Sequence, residues 1–208
     1  MSEIIQGSQE WINSRLGKVT ASRIADLTAK LKSGKPSSSR EDYLIETVTE
    51  RLTGQPLDFF QTKDMQWGVE KEPFARAAYE ERFFVEVVQV AMVEHPFIAM
   101  AGASPDGLVE EHGLIEIKCP KTKTHVNTLL SGEAPEQYIP QMQWQMACTG
   151  RQWCDFVSFD PRLPEHLQMF VKRVPRNQAL ITQYEQEVNA FLREVEDFIN
   201  RLNARKAA

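Results

Sequence analysis

Residues 104–118 read Ser-Pro-Asp-Gly-Leu-Val-Glu-Glu-His-Gly-Leu-Ile-Glu-Ile-Lys, and this stretch restricts the fold more tightly than any other in the chain. Ser-Pro-Asp-Gly and His-Gly are turn sequences, because Pro presets φ, Asp bonds its own backbone and Gly admits left-handed conformations. The short apolar runs around them, Phe97 to Ala101 and Leu114 to Cys119, read as strands of a small meander, with Val85 to Val93 as a further strand before them. Side chains alternate across a strand, so Glu116 and Lys118 share one face while Ile115 and Ile117 enter a core on the other. Asp106 sits at the end of the preceding strand or in its turn, and a hairpin sets its carboxylate beside that of Glu116.

Two carboxylates converging beside a lysine suit a hard divalent cation such as Mg²⁺, which takes oxygen ligands and keeps several waters. The carbonyl of Ile117 offers one more oxygen. Softer ligands do not compete: Cys119, Cys148 and Cys154 form no CxxC pair, and the four histidines are scattered. A metal so placed polarises a phosphoryl oxygen and acidifies a bound water, while Lys118 orients that water or stabilises the developing charge. Phosphodiester hydrolysis is the reaction these parts fit. A Pro-Asp-Gly turn followed by Glu-Ile-Lys is also ordinary for an exposed strand with one buried face, so the pattern alone leaves both readings open.

The remaining pattern is helices, strands, helices, strands and a long final helix. Thr20 opens a helix with Ile24, Leu27 and Leu31 on one face, and Ser39 with Asp42 marks a capped start for a stripe of Leu44, Ile45, Val48 and Leu52 ended by Gly54. A helix from Trp67 to Phe84 carries Phe74, Ala78 and Tyr79, with Pro73 in its first turn or kinking it. Helices near Val126 to Leu130 and Gln137 to Cys148 precede strands at Trp153 to Phe159 and Leu167 to Val174. From Gln178 to Ala204, Ile181, Tyr184, Val188, Phe191, Val195, Phe198 and Leu202 form a heptad-like seam, packed on its own domain or at a subunit contact. The fold class is α/β (α+β), a mixed central sheet flanked by helices, and 208 residues with no linker-like break read as a single domain spanning 1–208. No apolar run approaches a bilayer-spanning length and the amino terminus has no signal-peptide core, so a cytoplasmic protein is expected. A net charge of −5 argues against a surface basic all over but leaves room for a local basic cleft.

Asp106, nine residues, then Glu116-Ile117-Lys118 resembles the active site of the PD-(D/E)xK nuclease superfamily, whose core is restriction-endonuclease-like. The strings Ser-Pro-Asp-Gly-Leu, Ile-Glu-Ile-Lys-Cys-Pro and Trp67-Gly68-Val69-Glu70-Lys71-Glu72 are similar to the lambda exonuclease (YqaJ-like viral recombinase) family, as are Trp11 to Ser22 and Gln141-Met142-Gln143. The resemblance covers roughly residues 9 to 162. It implies a phage-type, Mg²⁺-dependent 5′-to-3′ exonuclease that digests one strand from double-stranded DNA ends and leaves 3′ overhangs for recombination. Mn²⁺ is expected to substitute, and Ca²⁺ to bind without turnover. It also implies a homotrimeric ring around DNA, a single-strand annealing partner and a phage or prophage gene in a bacterial host.

Residue by residue, the resemblance makes Glu72, Asp106 and Glu116 the acidic site, Lys118 the catalytic lysine and Gln141 a glutamine near it. Arg15, Ser22 and Ser104 match positions that hold the 5′-phosphate. Physically, Glu72 lies on a helix able to lean over the strands, with Gly68 permitting close approach. Arg15 offers a planar fork, and Ser22 a helix start. Gln141 and Gln143 face different directions, so one at most reaches the site. Trp67, Trp144 and Trp153 are core residues or a wedge that splays the terminal base pair. Lys118, Lys121 and Lys123, with Lys172, Arg173 and Arg176, are candidates to track the DNA backbone, the acidic stretch from Glu185 to Asp197 facing outward. Two other functions remain open: an endonuclease or single-strand nuclease on the same scaffold, and an inert DNA-end-binding protein.

Overall fold

The computed structural model describes residues 6–57 and 62–205. The first five residues, part of the amino-terminal segment read above for a leader, lie outside this range. Strands β2 (Val87–Val88), β5 (Gly107–Val109), β6 (Gly113–Lys118), β7 (Trp153–Phe159) and β8 (Met169–Pro175) form a mixed sheet in the order β2-β5-β6-β7-β8. Within this sheet β6 and β7 alone run parallel, with Lys118 opposite Ser158. β1 (Val19–Thr20), β4 (Ala101–Ala103) and β3 (Val93–Glu94) make a second, three-stranded sheet.

Helices cover the two faces of the larger sheet. α4 (Lys63–Phe83) lays Ala75 and Tyr79 against Ile115, Ile117 and Val157. On the opposite face, α6 (Ile139–Thr149) packs Met142, Trp144 and Met146 in one cluster with Leu114, Cys154 and Phe156. That cluster continues into α2 (Ile24–Thr28), α3 (Ser38–Thr53) and α7 (Gln178–Ala204). α1 (Gln9–Arg15) precedes β1, and α5 (Thr122–Ser131) follows β6. No helix among the described residues is long and apolar enough to cross a membrane.

The strongly periodic segments form where expected. α7 starts on the Asn177 side chain, which accepts from the Leu180 N–H, and it packs on its own chain against α3, α2 and α6. Ile181, Tyr184, Val188, Phe191 and Val195 are buried, while Leu202 has run off the end of the core. α6 carries Pro140 in its first turn, where no N–H is lost, and stops at Gly150 in the left-handed region.

The differences have local causes. α3 is capped by Ser37 and not Ser39, and its buried stripe runs through Tyr43, Leu44, Thr47 and Val48, which leaves Ile45 and Leu52 exposed. The chain leaves helical geometry at Ala29, so Leu31 lies in a turn closed by the Lys30–Pro36 bridge and is exposed. α4 begins at Lys63, which puts Pro73 in mid-helix and Phe74 on the solvent side. The Val85 to Val93 run is split between two sheets as β2 and β3, and Phe97 lies in an exposed loop ahead of β4. Leu108 and its neighbours form the additional strand β5. Gly107 opens that strand because a Cβ there would lie 2.1 Å from Val87 Cγ1, so only glycine lets β5 close on β2.

Phe191 is fully buried and stacks on Tyr43 of α3 at 5.1 Å between ring centroids. Phe191→Ala should therefore lower the unfolding free energy in urea by about 3–5 kcal/mol, and Leu202→Ala by no more than about 0.5 kcal/mol. Equal effects at the two positions would mean that the seam does not anchor α7.

Candidate functional site

The hairpin β5–β6 pairs Gly107 with Ile115, which carries Asp106 to the level of Glu116. The Asp106 carboxylate accepts a 2.6 Å hydrogen bond from the Ile117 N–H, fixing it against the strand that holds the second acid. Glu116 has no exposed surface, yet both its oxygens are satisfied: Oε1 accepts from Gln141 Nε2 at 2.7 Å and lies 2.5 Å from Lys118 Nζ, and Oε2 accepts from Gln145 Nε2 at 2.6 Å. Both glutamines come from α6, one helical turn apart, which places their amides on one face. Gln143 points elsewhere, donating to the Pro175 carbonyl and accepting from the Asn177 N–H.

Gln145 was not singled out in the sequence. The signal was available: Gln141 and Gln145 are at i and i+4 on a helix that packs against the β6 face carrying Glu116.

Glu72 approaches from α4, on the other side of the sheet. Its carboxylate pairs with Arg76 one turn along, and burial together with the nearby Glu116 charge raises its pKa despite that arginine. Burial also raises Asp106 well above the ordinary carboxylate range, and repulsion from Glu116 and Glu72 adds to it. Lys118 is raised as well: burial alone would lower it, but the charges of Glu116 and Asp106 outweigh that effect. The three acids thus sense one another, although among the described residues no three His, Cys, Asp or Glu side chains converge tightly enough to cage a metal by themselves. At Gly68 an added Cβ would meet nothing within 4 Å, so no close approach requires this glycine.

A second cluster forms around Ser104, two residues of chain before Asp106. Arg15 Nη1 donates to Ser104 Oγ at 3.2 Å and Nη2 to Ser22 Oγ at 3.5 Å. Trp11 Nε1 donates to the same Ser104 Oγ at 3.0 Å, and its ring lies 4.3 Å from the Arg15 guanidinium carbon. Arg15, Ser22 and Ser104 are therefore brought together, with Trp11 as an unforeseen fourth member. Burial lowers the Arg15 pKa, and among the described residues no carboxylate comes within 4 Å of it.

Most other basic residues have partners. Lys18 pairs with Glu94, Lys121 with Asp64 and Lys172 with Glu133, Arg173 clamps Asp155, and Arg176 bonds the carbonyls of Met146 and Arg151. Arg173 and Arg176 are thus tied into the fold and not held free along a cavity. The acids of α7 do not simply face outward either: Glu187, Glu194 and Glu196 pair with Lys30, Arg40 and Arg51. Trp144 is core, stacked on His95 at 4.9 Å, while Trp67 and Trp153 lie under Arg162 and Arg173 at 4.3 and 3.5 Å.

A family profile described as YqaJ-like viral recombinase domain matches residues 10–152. Among solved structures, an alkaline exonuclease (LHK-Exo) from Laribacter hongkongensis is 50% identical, with a TM-score of 0.90, covering 96% of this chain and 98% of that one. LHK-Exo in complex with dAMP matches with the same values. A phage related exonuclease from Haemophilus somnus 129PT shares the fold, with a TM-score of 0.70 at 18% identity over 92% of this chain and 99% of that one. No curated protein matches the sequence.

The Asp106 shift carries a sign for stability. A carboxyl whose pKa is higher in the folded than in the unfolded chain holds its proton more tightly when folded, so stability falls as pH rises from about 4 through the folded value. In EDTA, the Tm of the protein should drop over that range, and Asp106→Asn should raise Tm at neutral pH while flattening the dependence. An Asp106→Asn protein that melts no higher than the parent at pH 7 would show that the carboxylate is not held against a penalty.

Proposed function

Because the chain belongs to the YqaJ-like viral recombinase domain family, whose matched relatives are exonucleases, its role is that of a nuclease, and we propose a Mg²⁺-dependent 5′-to-3′ exonuclease acting on double-stranded DNA ends. It would leave 3′ overhangs for recombination by strand annealing. The observation that carries this reading is the adjacency of two unlike clusters: Asp106 with Glu116 and Lys118 of β6, and Arg15, which among the described residues has no carboxylate partner and is held by the hydroxyls of Ser22 and of Ser104, two residues before Asp106. The first suits hydrolysis of a phosphodiester and the second suits a terminal phosphate.

The donor chemistry fits a magnesium ion. Asp106, Glu116 and the Ile117 carbonyl are all hard oxygens, and their shortfall from a full cage suits an ion that keeps much of its water. Asp106, a carboxyl crowded by two others, gains most from a cation. Glu72 is the further acid, acting directly or through a bound water. When bound, the ion would polarise the phosphoryl oxygen and acidify a water. Lys118 contributes a charge held 2.5 Å from Glu116 Oε1, with its ammonium 5.0 Å from the Tyr138 ring centroid, to orient the attacking water or meet the charge that develops on phosphate. Gln141 holds Glu116 from α6. Arg15 fixes the 5′-phosphate through its planar fork, with Ser22 and Ser104 supplying hydroxyls. A trimeric ring, an annealing partner and a cytoplasmic setting in a bacterial host complete the proposal by family likeness.

The deciding experiment compares linear with covalently closed duplex in Mg²⁺, with the label at either the 5′ or the 3′ end. Release of 5′-terminal mononucleotides from linear duplex alone is expected, and cutting of the closed form would replace this reading with an endonuclease. Lys118→Ala should keep its fold and lose roughly 10² or more in rate. Turnover within a few-fold of the parent would remove Lys118 from the reaction. Arg15→Ala should reduce the preference for a 5′-phosphorylated end over a 5′-hydroxyl end, and Arg15→Lys should restore it only in part because it lacks the fork. An unchanged ratio of initial rates on the two ends would move the phosphate pocket elsewhere.

A further inference from the structure

Glu116 is a buried carboxylate whose hydrogen bonds are unevenly shared. Oε1 is taken by both Gln141 and Lys118, whereas Oε2 has a single donor among the described residues, Gln145, at 2.6 Å. A carboxylate oxygen has two lone pairs, so Oε2 keeps one free. Gln145 is itself fully buried in α6. Its amide also has a defined orientation: Oε1 faces the thiol of Cys154 at 4.0 Å, and burial raises that thiol's pKa so that it remains an S–H donor. Turning the amide over would set a carbonyl oxygen against a carboxylate. Cys154, Gln145 and Glu116 thus form a chain in which each member fixes the next.

We infer that Gln145 is a positioning residue: it locks the rotamer of Glu116 and aims the free lone pair of Oε2, and so sets how tightly the site takes a divalent cation. The inference rests on the proposed metal-dependent reading. Outer partners of this kind commonly change metal affinity or activity by about 10- to 100-fold when removed. Gln143 supplies the comparison that isolates this role, since it is equally buried on the same helix but bonds only Pro175 and Asn177.

The test uses the whole chain and two measurements: the rise in Tm on adding Ca²⁺ or Mg²⁺, and the Mg²⁺ concentration giving half-maximal digestion of linear duplex. In Gln145→Leu, the metal-induced Tm rise should shrink and the half-maximal Mg²⁺ should increase by about tenfold or more. Gln143→Leu should lower the metal-free Tm and leave both metal responses as in the parent. If Gln145→Leu folds poorly, Gln145→Met, which fills the space without a donor, is measured instead. A metal response in the Gln145 variants equal to that of the parent would make this glutamine a core residue and overturn the inference. A parent protein without any metal response would overturn the metal-dependent reading itself, which is a separate outcome.

Discussion

The structure is organised around a carboxylate with no access to water. Taking a charge out of water costs several kcal/mol unless it is paired and hydrogen-bonded, and losing one partner of such a pair commonly costs about 3–5 kcal/mol. Glu116 meets this condition with a lysine two residues away on its own strand and two amides from α6. The consequence is architectural: α6 must lie across β6 at one rotation and height, or a buried oxygen loses its donor. The parallel pairing of β6 with β7, the Pro140 start and the Gly150 stop of α6 all act on the same placement.

The two faces of β6 are buried for different reasons. Ile115 and Ile117 face α4 and close an apolar cluster with Tyr79, while Leu114 and Glu116 face α6. An alternating strand is expected to put its charges toward solvent. Here the polar face is covered as well, so the polar residues that remain on it must be matched one for one. Ordinary surface structure for Glu-Ile-Lys is ruled out by that burial and not by the motif.

The parts of the fold that were legible in the sequence are those whose period repeats. Seven seam positions place α7, Pro140 and Gly150 bound α6, and the strand alternation sets Glu116 beside Lys118. Asp106 could be brought to Glu116 because one hairpin links them. Elements shorter than a period gave no such signal: β2 and β3 have two residues each, and the split of Val85 to Val93 between two sheets depends on which distant strands they meet. Trp11 and Ser104 lie 93 residues apart, and no local pattern predicts that an indole N–H and a guanidinium share one hydroxyl. Gln145 was hidden by its neighbours, since Gln141, Gln143 and Gln145 form a run in which only helix geometry separates the two that reach Glu116.

Burial acts against the charged forms of both Asp106 and Arg15. Asp106 is crowded by Glu116 and Glu72, a repulsion that Lys118 and Arg76 offset only in part, and Arg15 is partly buried with no carboxylate within 4 Å among the described residues. These deficits are opposite: the acidic cluster calls for a cation and the arginine cluster for an anion. On the proposed function, a phosphorylated DNA end brought with a divalent cation would supply both at once. A cation and a phosphate held in neighbouring clusters would attract each other, so binding of one should favour the other. The apolar contacts of α7 with α2, α3 and α6 include none of these charged groups.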